Sequence, residues 1–155
     1  MPDVISLDKT YLRMAREWSK LSKAQRKQVG CLIVKDGMII SDGYNGTPRG
    51  FDNRCEDYID SYSMLASRAY KIVTKPEVLH AESNAITKLA KSTQSSKDST
   101  LYTTASPCVD CAKLIIQSDI CRVVYGELYK NSDGIDLLKK IRAKIIEMSS
   151  IVVMI

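Results

Sequence analysis

The spacing of apolar and polar residues predicts a helix followed by a β-hairpin in the first third of the chain. Apolar residues recur at helical spacing through about residues 7–22. An apolar run at residues 31–34 then predicts a buried strand, and Asp36-Gly37 predicts a tight hairpin turn. Residues 38–40 provide the returning strand. The residues on the apolar face of the helix are Leu7, Leu12, Met14, Ala15, Trp18 and Leu21.

The middle of the chain is more polar and contains many turn residues. Residues 43–50 include three glycines and one proline, which predicts a loop. A polar stretch over residues 52–79 follows, and the spacing of its apolar residues indicates a helix within it. The residues that suggest this helix are Tyr58, Ile59, Tyr62, Leu65, Ala66 and Ala69.

Strands and helices alternate in the second half of the chain. A helix is predicted to begin at His80, and a polar loop over residues 91–99 separates it from a strand at residues 100–104. The remaining predicted elements are a helix that starts after Pro107 and ends near Ser118, a strand at residues 122–125, a helix over residues 135–148 and a strand at residues 151–155. Alternating strands and helices favour parallel strands joined by right-handed crossovers. The pattern therefore predicts an α/β fold, with a mixed five-stranded sheet and helices on both faces.

Composition narrows the class of protein without identifying it. The length of 155 residues fits a single domain over residues 1–155. The net charge of +5 would suit a phosphorylated substrate or a nucleic acid, although a solvated surface is the simpler explanation. No signal peptide is visible and the apolar runs are too short to span a bilayer, so we expect a cytoplasmic protein without a membrane partner. The five cysteines, an odd number, indicate metal ligands and buried thiols more than disulfides.

The single histidine belongs to a pattern that can form a catalytic zinc site. His80 precedes Glu82 by two residues, and Cys108 precedes Cys111 by three. Zinc binds imidazole and thiolate ligands tetrahedrally, and a catalytic zinc keeps one position open for water. The two cysteines fall in the first turn of one predicted helix, where the helix dipole favours thiolates. We predict His80, Cys108 and Cys111 as zinc ligands. Glu82 would lie beside the bound water and carry its proton.

A Cys-x-x-Cys pair considered alone also fits a structural zinc site or a redox pair. A closed structural site needs a fourth ligand, and no second histidine is present to supply it. That ligand would have to be another cysteine or a carboxylate. Cys31 and Cys121 lie in predicted strands, where we expect buried thiols, and the role of Cys55 stays open.

Four motifs resemble those of a known family. They are RKQVGC at residues 26–31, GYNGTPRG at residues 43–50, HAESNA at residues 80–85 and SPCVDC at residues 106–111. The H-x-E and P-C-x-x-C parts are similar to those of the cytidine deaminase superfamily of zinc enzymes. The loop at residues 43–50 and the insertion after it resemble deoxycytidylate (dCMP) deaminases most closely, including those that phages encode. The resemblance covers roughly residues 8–155.

The resemblance implies both a fold and an activity. The fold is the cytidine-deaminase-like three-layer α-β-α sandwich. The activity is zinc-dependent hydrolysis of dCMP to dUMP and ammonia, which supplies dUMP for dTTP synthesis. The family also implies a homohexamer, activation by dCTP with Mg²⁺ and inhibition by dTTP. A phage enzyme of this kind would act in the host cytoplasm. Some phage relatives carry a second, structural zinc on histidines, but no histidine other than His80 is present here.

Several residues are candidates for nucleotide binding. The resemblance assigns Asn45 to the sugar or phosphate of the substrate, together with Ala81 and Ser106 as further substrate contacts. It assigns an effector nucleotide more weakly to Gly43, Tyr44, Gly46 and Arg49. Arg49 could equally be an exposed surface charge.

Arg26 and Tyr125 are candidates on physical grounds. A monophosphate needs cationic or hydrogen-bonding partners, and ligands gather beyond the carboxyl ends of parallel strands. Arg26 precedes the first predicted strand and Tyr125 ends a later one. The alternatives stay open, because Arg26 could be a solvated charge and Tyr125 a core or interface aromatic.

Two rival functions share parts of the pattern. A tRNA adenosine deaminase has the same fold and zinc chemistry and would use a basic surface for RNA. The loop at residues 43–50 and the long insertion speak against it, so nucleic acid is not expected as a partner. A non-catalytic zinc-binding assembly module is expected to lack the acid/base glutamate, whereas Glu82 is present.

Overall fold

The computed structural model describes residues 1–61, 69–141 and 143–148. No helix in this part of the chain is long and apolar enough to cross a bilayer. The elements, in chain order, are α1 (Val4–Ser19), β1 (Gly30–Lys35), β2 (Met38–Tyr44), β3 (Glu56–Ser61), β4 (Ala69–Thr74), α2 (Ala81–Leu89), β5 (Thr100–Ala105), α3 (Val109–Gln117), β6 (Arg122–Glu127), α4 (Asp133–Lys140) and β7 (Lys144–Glu147).

Five of the strands form one mixed sheet in the order β2-β1-β5-β6-β7. β1 is antiparallel to β2 and β5, whereas β6 is parallel to both β5 and β7. The turn between β1 and β2 lies at Asp36 and Gly37, whose φ angles of 50° and 76° suit a tight hairpin. The predicted mixed five-stranded sheet and its hairpin are therefore confirmed.

The sheet separates two apolar cores. Because successive strand residues point to opposite faces, β1 places Ile33 in one core and Leu32 in the other. α1 covers the Leu32 side with Leu12 and Ala15, and the other three helices contribute to the Ile33 side. This arrangement confirms the three-layer α-β-α sandwich. It also puts the starts of α2 and α3 on the same side of the sheet.

A buried ion pair joins α1 to the sheet. Arg122 of β6 donates from Nη1 and Nη2 to the carboxylate of Asp8, at 2.8 and 2.5 Å. The hydroxyl of Tyr102 donates to Asp8 Oδ1 at 2.8 Å. The Asp8 side chain is only 4% exposed, so these partners replace the water that it loses on folding.

The helix predicted within residues 52–79 is wrong at both of its ends. β3 and β4 occupy its two ends and pair with each other as a hairpin, with Tyr58 opposite Ile72. Both strands contain aromatic or β-branched residues, which favour extended backbone, and of the residues that suggested the helix Tyr58 and Ile59 lie on β3 and Ala69 lies on β4. The central part of the predicted helix, residues 62–68, lies outside the described residues.

The last predicted helix is too long, and the fifth strand of the sheet comes earlier than predicted. α4 ends at Lys140, and β7 then pairs with β6. Two adjacent β-branched residues, Ile145 and Ile146, favour a strand once the edge of β6 is available for pairing. The strand predicted at residues 151–155 lies outside the described residues.

β2 is longer than predicted, so Gly43 and Tyr44 belong to a strand and not to the predicted loop. Gly43 faces α2, and a Cβ atom there would lie 2.3 Å from the carbonyl oxygen of Ala81. Backbone cannot move aside as a flexible side chain can. A glycine is therefore required for β2 to approach the first turn of α2 so closely.

Candidate active site

The three predicted metal ligands stand at the starts of two helices. His80 is the N-cap residue of α2, and Cys108 is the N-cap residue of α3. The Sγ atom of Cys108 accepts a hydrogen bond from the backbone nitrogen of Cys111 at 3.5 Å. This bond fixes the sulfur at the positive end of the α3 dipole, which favours a thiolate.

The side chains of these residues converge on one point. His80 Nδ1 lies 3.4 Å from the Sγ atoms of both Cys108 and Cys111, and the three ligand atoms all lie within 4.8 Å of one another. Zinc bonds of about 2.0–2.1 Å to nitrogen and 2.3 Å to sulfur would separate tetrahedral ligands of these types by about 3.5 Å. The spacing and the donor set therefore fit zinc. Among the described residues, this is the one group of His, Cys, Asp and Glu side chains with such a geometry.

Glu82 lies beside the three ligands without belonging to them. Its Oε2 atom is 3.7 Å from Cys111 Sγ, and the residue is only 4% exposed. Burial raises the pKa of Glu82 to about 7. A carboxyl group with a pKa near neutrality can both accept and release a proton at the pH of a cell.

The two cysteines differ in their affinity for a proton. The hydrogen bonds that Cys108 receives from Cys111 and His80 lower its pKa to about 3. The hydrogen bond to Cys108 and burial both raise the pKa of Cys111. The hydrogen bond with Cys108 also raises the pKa of His80. The pair therefore favours one thiolate beside one thiol, and a metal that binds both sulfurs would have to displace the remaining proton.

The cluster opens into a pocket of about 330 Å³, a volume typical of small-molecule sites. The pocket is lined by the predicted ligands His80 and Cys108 and by Glu82. Three of the predicted substrate contacts also line it, namely Asn45, Ala81 and Ser106.

Asn45 shapes the wall of this pocket as well as lining it. Its Oδ1 atom accepts a hydrogen bond from the backbone nitrogen of Val29, and its Nδ2 atom donates to the backbone oxygen of Lys27, both at 2.8 Å. Ser106 fixes another part of the wall, because its hydroxyl accepts a hydrogen bond from the backbone nitrogen of Tyr129 at 2.8 Å. Both polar residues thus hold neighbouring segments of backbone in place.

Arg26 and Tyr125 are not among the residues that line the pocket, although Thr74, which Arg26 contacts, is one of them. The guanidinium of Arg26 donates from Nη1 to the hydroxyl of Thr74 on β4, at 3.3 Å. The ring of Tyr125 lies in the core, and its hydroxyl donates to Glu147 Oε2 on β7 at 3.1 Å. Both partners belong to strands that the sequence pattern did not reveal, which is why these contacts were not foreseen.

Three other residues of the pocket were missed. The Nζ atoms of Lys27 and Lys130 lie 5.6 and 5.3 Å from the ring centroid of Tyr129, and all three residues line the pocket. Lys27 also forms an ion pair with Glu127. Tyr129 and Lys130 follow the carboxyl end of the parallel strand β6, and this position in the fold was the signal that could have identified them.

A second pocket, of about 420 Å³, is lined by residues of β2 and α2 that do not line the first pocket. It brings together all four residues assigned to an effector nucleotide, namely Gly43, Tyr44, Gly46 and Arg49. Lysines also line it, at positions Lys23, Lys88 and Lys91. Lys88 forms an ion pair with Asp42 at 2.6 Å, and Asn84 of α2 donates to the backbone oxygen of Tyr44 at 2.7 Å.

The two pockets have a common wall. Asn45 and Cys55 line both of them. Cys31 is buried as predicted, and Cys55, whose role the sequence left open, is buried too. Cys121 is exposed instead of buried, and its thiol donates to the backbone oxygen of Ser99 at 3.4 Å.

The first turn of α4 rests directly on the loop that carries Cys108. A Cβ atom at Gly134 would lie 2.0 Å from the carbonyl oxygen of Pro107 and 2.7 Å from the carbonyl carbon of Cys108. No side chain fits at this contact without moving backbone. Gly134 therefore determines how closely α4 supports the cysteine loop.

Comparison with known proteins gives consistent matches. Residues 5–127 match the family described as the cytidine and deoxycytidylate deaminase zinc-binding region. The deoxycytidylate deaminase of Enterobacteria phage T4 is 36% identical over 157 residues, which cover 82% of this chain and 81% of the relative. That of phage T2 is 36% identical over 158 residues, which cover 82% and 84%. The crystal structure of the dCMP deaminase of cyanophage S-TIM5 in complex with dCMP and dUMP is 37% identical, with a TM-score of 0.80, and the match covers 95% of this chain and 100% of that chain.

Proposed function

The chain belongs to the cytidine and deoxycytidylate deaminase zinc-binding family, and from this premise we propose that it hydrolyses dCMP to dUMP and ammonia. The observation that carries the proposal is the convergence of three metal-ligating side chains and a buried glutamate in one pocket. The cyanophage relative, whose structure holds dCMP and dUMP, supports the choice of substrate. The product dUMP would serve dTTP synthesis.

Zinc would be held by His80, Cys108 and Cys111, and when bound it supplies a Lewis acid that lowers the pKa of a water molecule to about 7. Glu82 accepts a proton from the attacking water and passes it to N3 of the cytosine ring. Glu82 then takes the remaining proton from the hydroxyl group added at C4 and delivers it to the amine, so that the C4–N bond breaks, a C4=O bond forms and ammonia leaves. The pKa of about 7 equips this carboxyl group for both directions of transfer.

The rest of the pocket would bind and orient the nucleotide. Ala81 follows His80 directly in the sequence, and Ser106 precedes Cys108 by two residues. Both line the pocket. Asn45 lines it as well and is the proposed contact to the sugar. Buried walls of this kind exclude water from the base while the polar groups fix its orientation.

The phosphate of the substrate would lie at Lys27 and Lys130. Among the described residues that line the pocket, these two carry lysine or arginine side chains. A monophosphate carries about 1.5–2 negative charges at neutral pH, which two ammonium groups can balance. Lys130 has a φ angle of 64°, a backbone conformation that is uncommon for lysine and is often retained at functional positions.

The same family membership leads us to propose regulation at the second pocket. dCTP with Mg²⁺ would activate the enzyme there, and dTTP would inhibit it. The lysines of this pocket and Arg49 suit a triphosphate. α2 connects the two sites, since Asn84 and Lys88 line the second pocket and Glu82 lies in the first turn of the same helix.

A homohexamer and a location in the host cytoplasm complete the proposal. The family resemblance implies the hexamer, and the similarity to deaminases of phages T4 and T2 supports the host cytoplasm. Light scattering on the purified protein measures the assembly. A mass equal to that of one chain would contradict the hexamer without affecting the proposed chemistry.

A substrate panel tests the activity directly. The purified protein is assayed with dCMP, CMP, deoxycytidine and dCTP, and separately with a tRNA anticodon stem-loop. We expect dCMP to give the highest kcat/KM and the RNA to give no inosine. Inosine formation without dCMP turnover would establish the tRNA adenosine deaminase instead. Absence of turnover on every substrate by zinc-loaded protein would favour a non-catalytic assembly module.

The effector proposal has its own readout. The rate with dCMP is measured with and without dCTP plus Mg²⁺, and then with dTTP. We expect a lower half-saturating dCMP concentration with dCTP and a higher one with dTTP. Hyperbolic kinetics that neither nucleotide changes would overturn the regulation and leave the deaminase activity standing.

A further inference from the structure

We propose that Glu127 limits the number of phosphate groups that the active site accepts, so that its carboxylate disfavours nucleoside di- and triphosphates relative to the monophosphate. The inference rests on the proposed deaminase function and concerns the phosphate end of its substrate. It makes Glu127 a specificity-determining residue that acts by charge and not by contact with the reacting base.

The backbone of Glu127 is fixed close to the reaction centre. It is the last residue of β6, and its carbonyl oxygen accepts a hydrogen bond from the backbone nitrogen of Ser106 at 2.8 Å. Ser106 lies two residues before the metal ligand Cys108. The side chain of Glu127 is 52% exposed, so the carboxylate projects from this fixed base towards solvent.

The carboxylate of Glu127 pairs with a cation that faces the pocket. Its Oε1 atom is in contact with Nζ of Lys27, which is only 31% exposed and lines the pocket. Lys27 Nζ also lies 5.6 Å from the ring of Tyr129. A phosphate bound by this ammonium group would therefore share it with Glu127, and the two anions would be near neighbours.

The charges near the phosphate position suit one phosphate group better than several. Lys27 and Lys130 contribute two positive charges, and the pocket wall also carries Asp133. Glu127 offsets the charge of Lys27. Because Coulomb repulsion grows in proportion to charge, each additional phosphate increases the penalty that Glu127 imposes. Repulsion against the wrong ligand is a common way to obtain specificity.

Glu127 could alternatively serve only to hold Lys27 in position. The two roles predict opposite results when the carboxylate is removed. A positioning residue gives a loss of phosphate binding for every nucleotide. A residue that repels extra phosphates gives a gain of activity on polyphosphates, and a damaged fold cannot produce such a gain.

The test compares the full-length zinc-loaded enzyme with its Glu127→Gln variant. The measured quantity is kcat/KM for deoxycytidine, dCMP and dCDP, and the deciding result is a rise in the dCDP to dCMP ratio that comes from a gain in kcat/KM for dCDP. We expect the ratio to rise about fivefold or more, since one unit charge within about 4–6 Å of another in a water-rich site has an effect of this order. Turnover of deoxycytidine should not change. dCTP is a secondary substrate here because it is also the proposed effector.

Glu17→Gln is the matched control. Glu17 also pairs with a lysine, Lys20, at 2.7 Å, and its removal changes the net charge by the same amount on α1, which contributes no residue to the pocket lining. Its dCDP to dCMP ratio should equal that of the unmodified enzyme. If Glu127→Gln leaves the ratio unchanged or lowers it while dCMP turnover persists, the inference is wrong and the deaminase function stands. If the unmodified enzyme does not deaminate dCMP, the proposed function itself fails.

Discussion

Glu82 and Cys111 stand 29 positions apart in the sequence, yet Glu82 Oε2 lies 3.7 Å from Cys111 Sγ. This contact places the buried carboxylate next to the proposed metal without making it a ligand. Glu82→Gln keeps the size and the burial of the side chain but removes its ability to carry a proton. We expect turnover to fall by about 10²–10⁴-fold with an unchanged zinc content, measured by elemental analysis. Turnover near that of the unmodified enzyme would contradict the proposed mechanism.

The metal site can be tested by substituting one cysteine that is a predicted ligand and one cysteine that is not. Cys111→Ser replaces a buried ligand, whereas Cys121→Ser replaces an exposed thiol outside the cluster. We expect the first variant to lose bound zinc and activity and the second to keep both. Zinc per chain and the melting temperature before and after chelation are the measurements. Equal zinc contents in the two variants would show that the metal lies elsewhere.

The phosphate subsite can be tested by comparing a lysine that lines the pocket with an arginine that does not. Lys27 and Lys130 line the pocket, whereas the side chain of Arg26 bonds to Thr74 at its edge and is not itself a lining residue. Lys130→Gln should raise KM for dCMP about tenfold, since a charged hydrogen bond contributes about 1.5–3 kcal/mol. Kinetics with deoxycytidine should not change in this variant. Arg26→Gln should have a smaller effect on KM for dCMP. A larger effect of Arg26 would restore it as the phosphate contact.

Gly134 provides a prediction about metal affinity. A methyl group there would press on Pro107 and Cys108, so Gly134→Ala should weaken zinc binding about tenfold or more, as measured by competition with a chelator. Gly30→Ala is the control, because a Cβ atom at Gly30 would lie 1.9 Å from the carbonyl oxygen of Ala15, on the opposite side of the sheet. Both variants should unfold at lower temperature, but only Gly134→Ala should change the affinity for zinc. If Gly134→Ala and Gly30→Ala bind zinc with equal affinity, the packing of α4 against the cysteine loop does not affect metal binding.

The ion pair between Asp8 and Arg122 gives a prediction about stability. Arg122→Met leaves a carboxylate buried without its cation, which costs about 3–5 kcal/mol of unfolding free energy. Urea unfolding measures the change. The double variant with Asp8→Leu should regain much of the loss, because it leaves no uncompensated charge. Lys20→Met breaks an exposed pair with Glu17 and should cost less than about 1 kcal/mol.

The sequence was sufficient to predict the parts of the fold that depend on local pattern. The strand at Ile33, the turn at Gly37 and the helix that follows His80 all have clear periodicity or turn chemistry. The metal cluster was predictable for the same reason, since its residue types and spacing already meet the requirements of zinc. Each motif is local, since His80 and Glu82 are two residues apart and Cys108 and Cys111 are three apart, although the complete cluster joins two distant segments of the chain.

The errors arose where distant parts of the chain decide the outcome. Ile145 lies in a strand because β6 offers a free edge, and helical spacing alone could not reveal that. Tyr125 was predicted at the substrate because β7 and its Glu147 were not foreseen. Lys130 was missed because the loop after β6 has no periodic pattern. Its position is apparent only once the carboxyl end of β6 is known to face the cluster.

Asn45 lines both pockets, and its side-chain amide holds the backbone on either side of residue 28. A substitution at this position would change the shape of two ligand sites at once. Selection on the catalytic site would therefore preserve one wall of the second pocket even in a lineage that no longer needed regulation. The proposed effector site would then be lost first at residues such as Arg49 and Lys91, which line the second pocket but not the first.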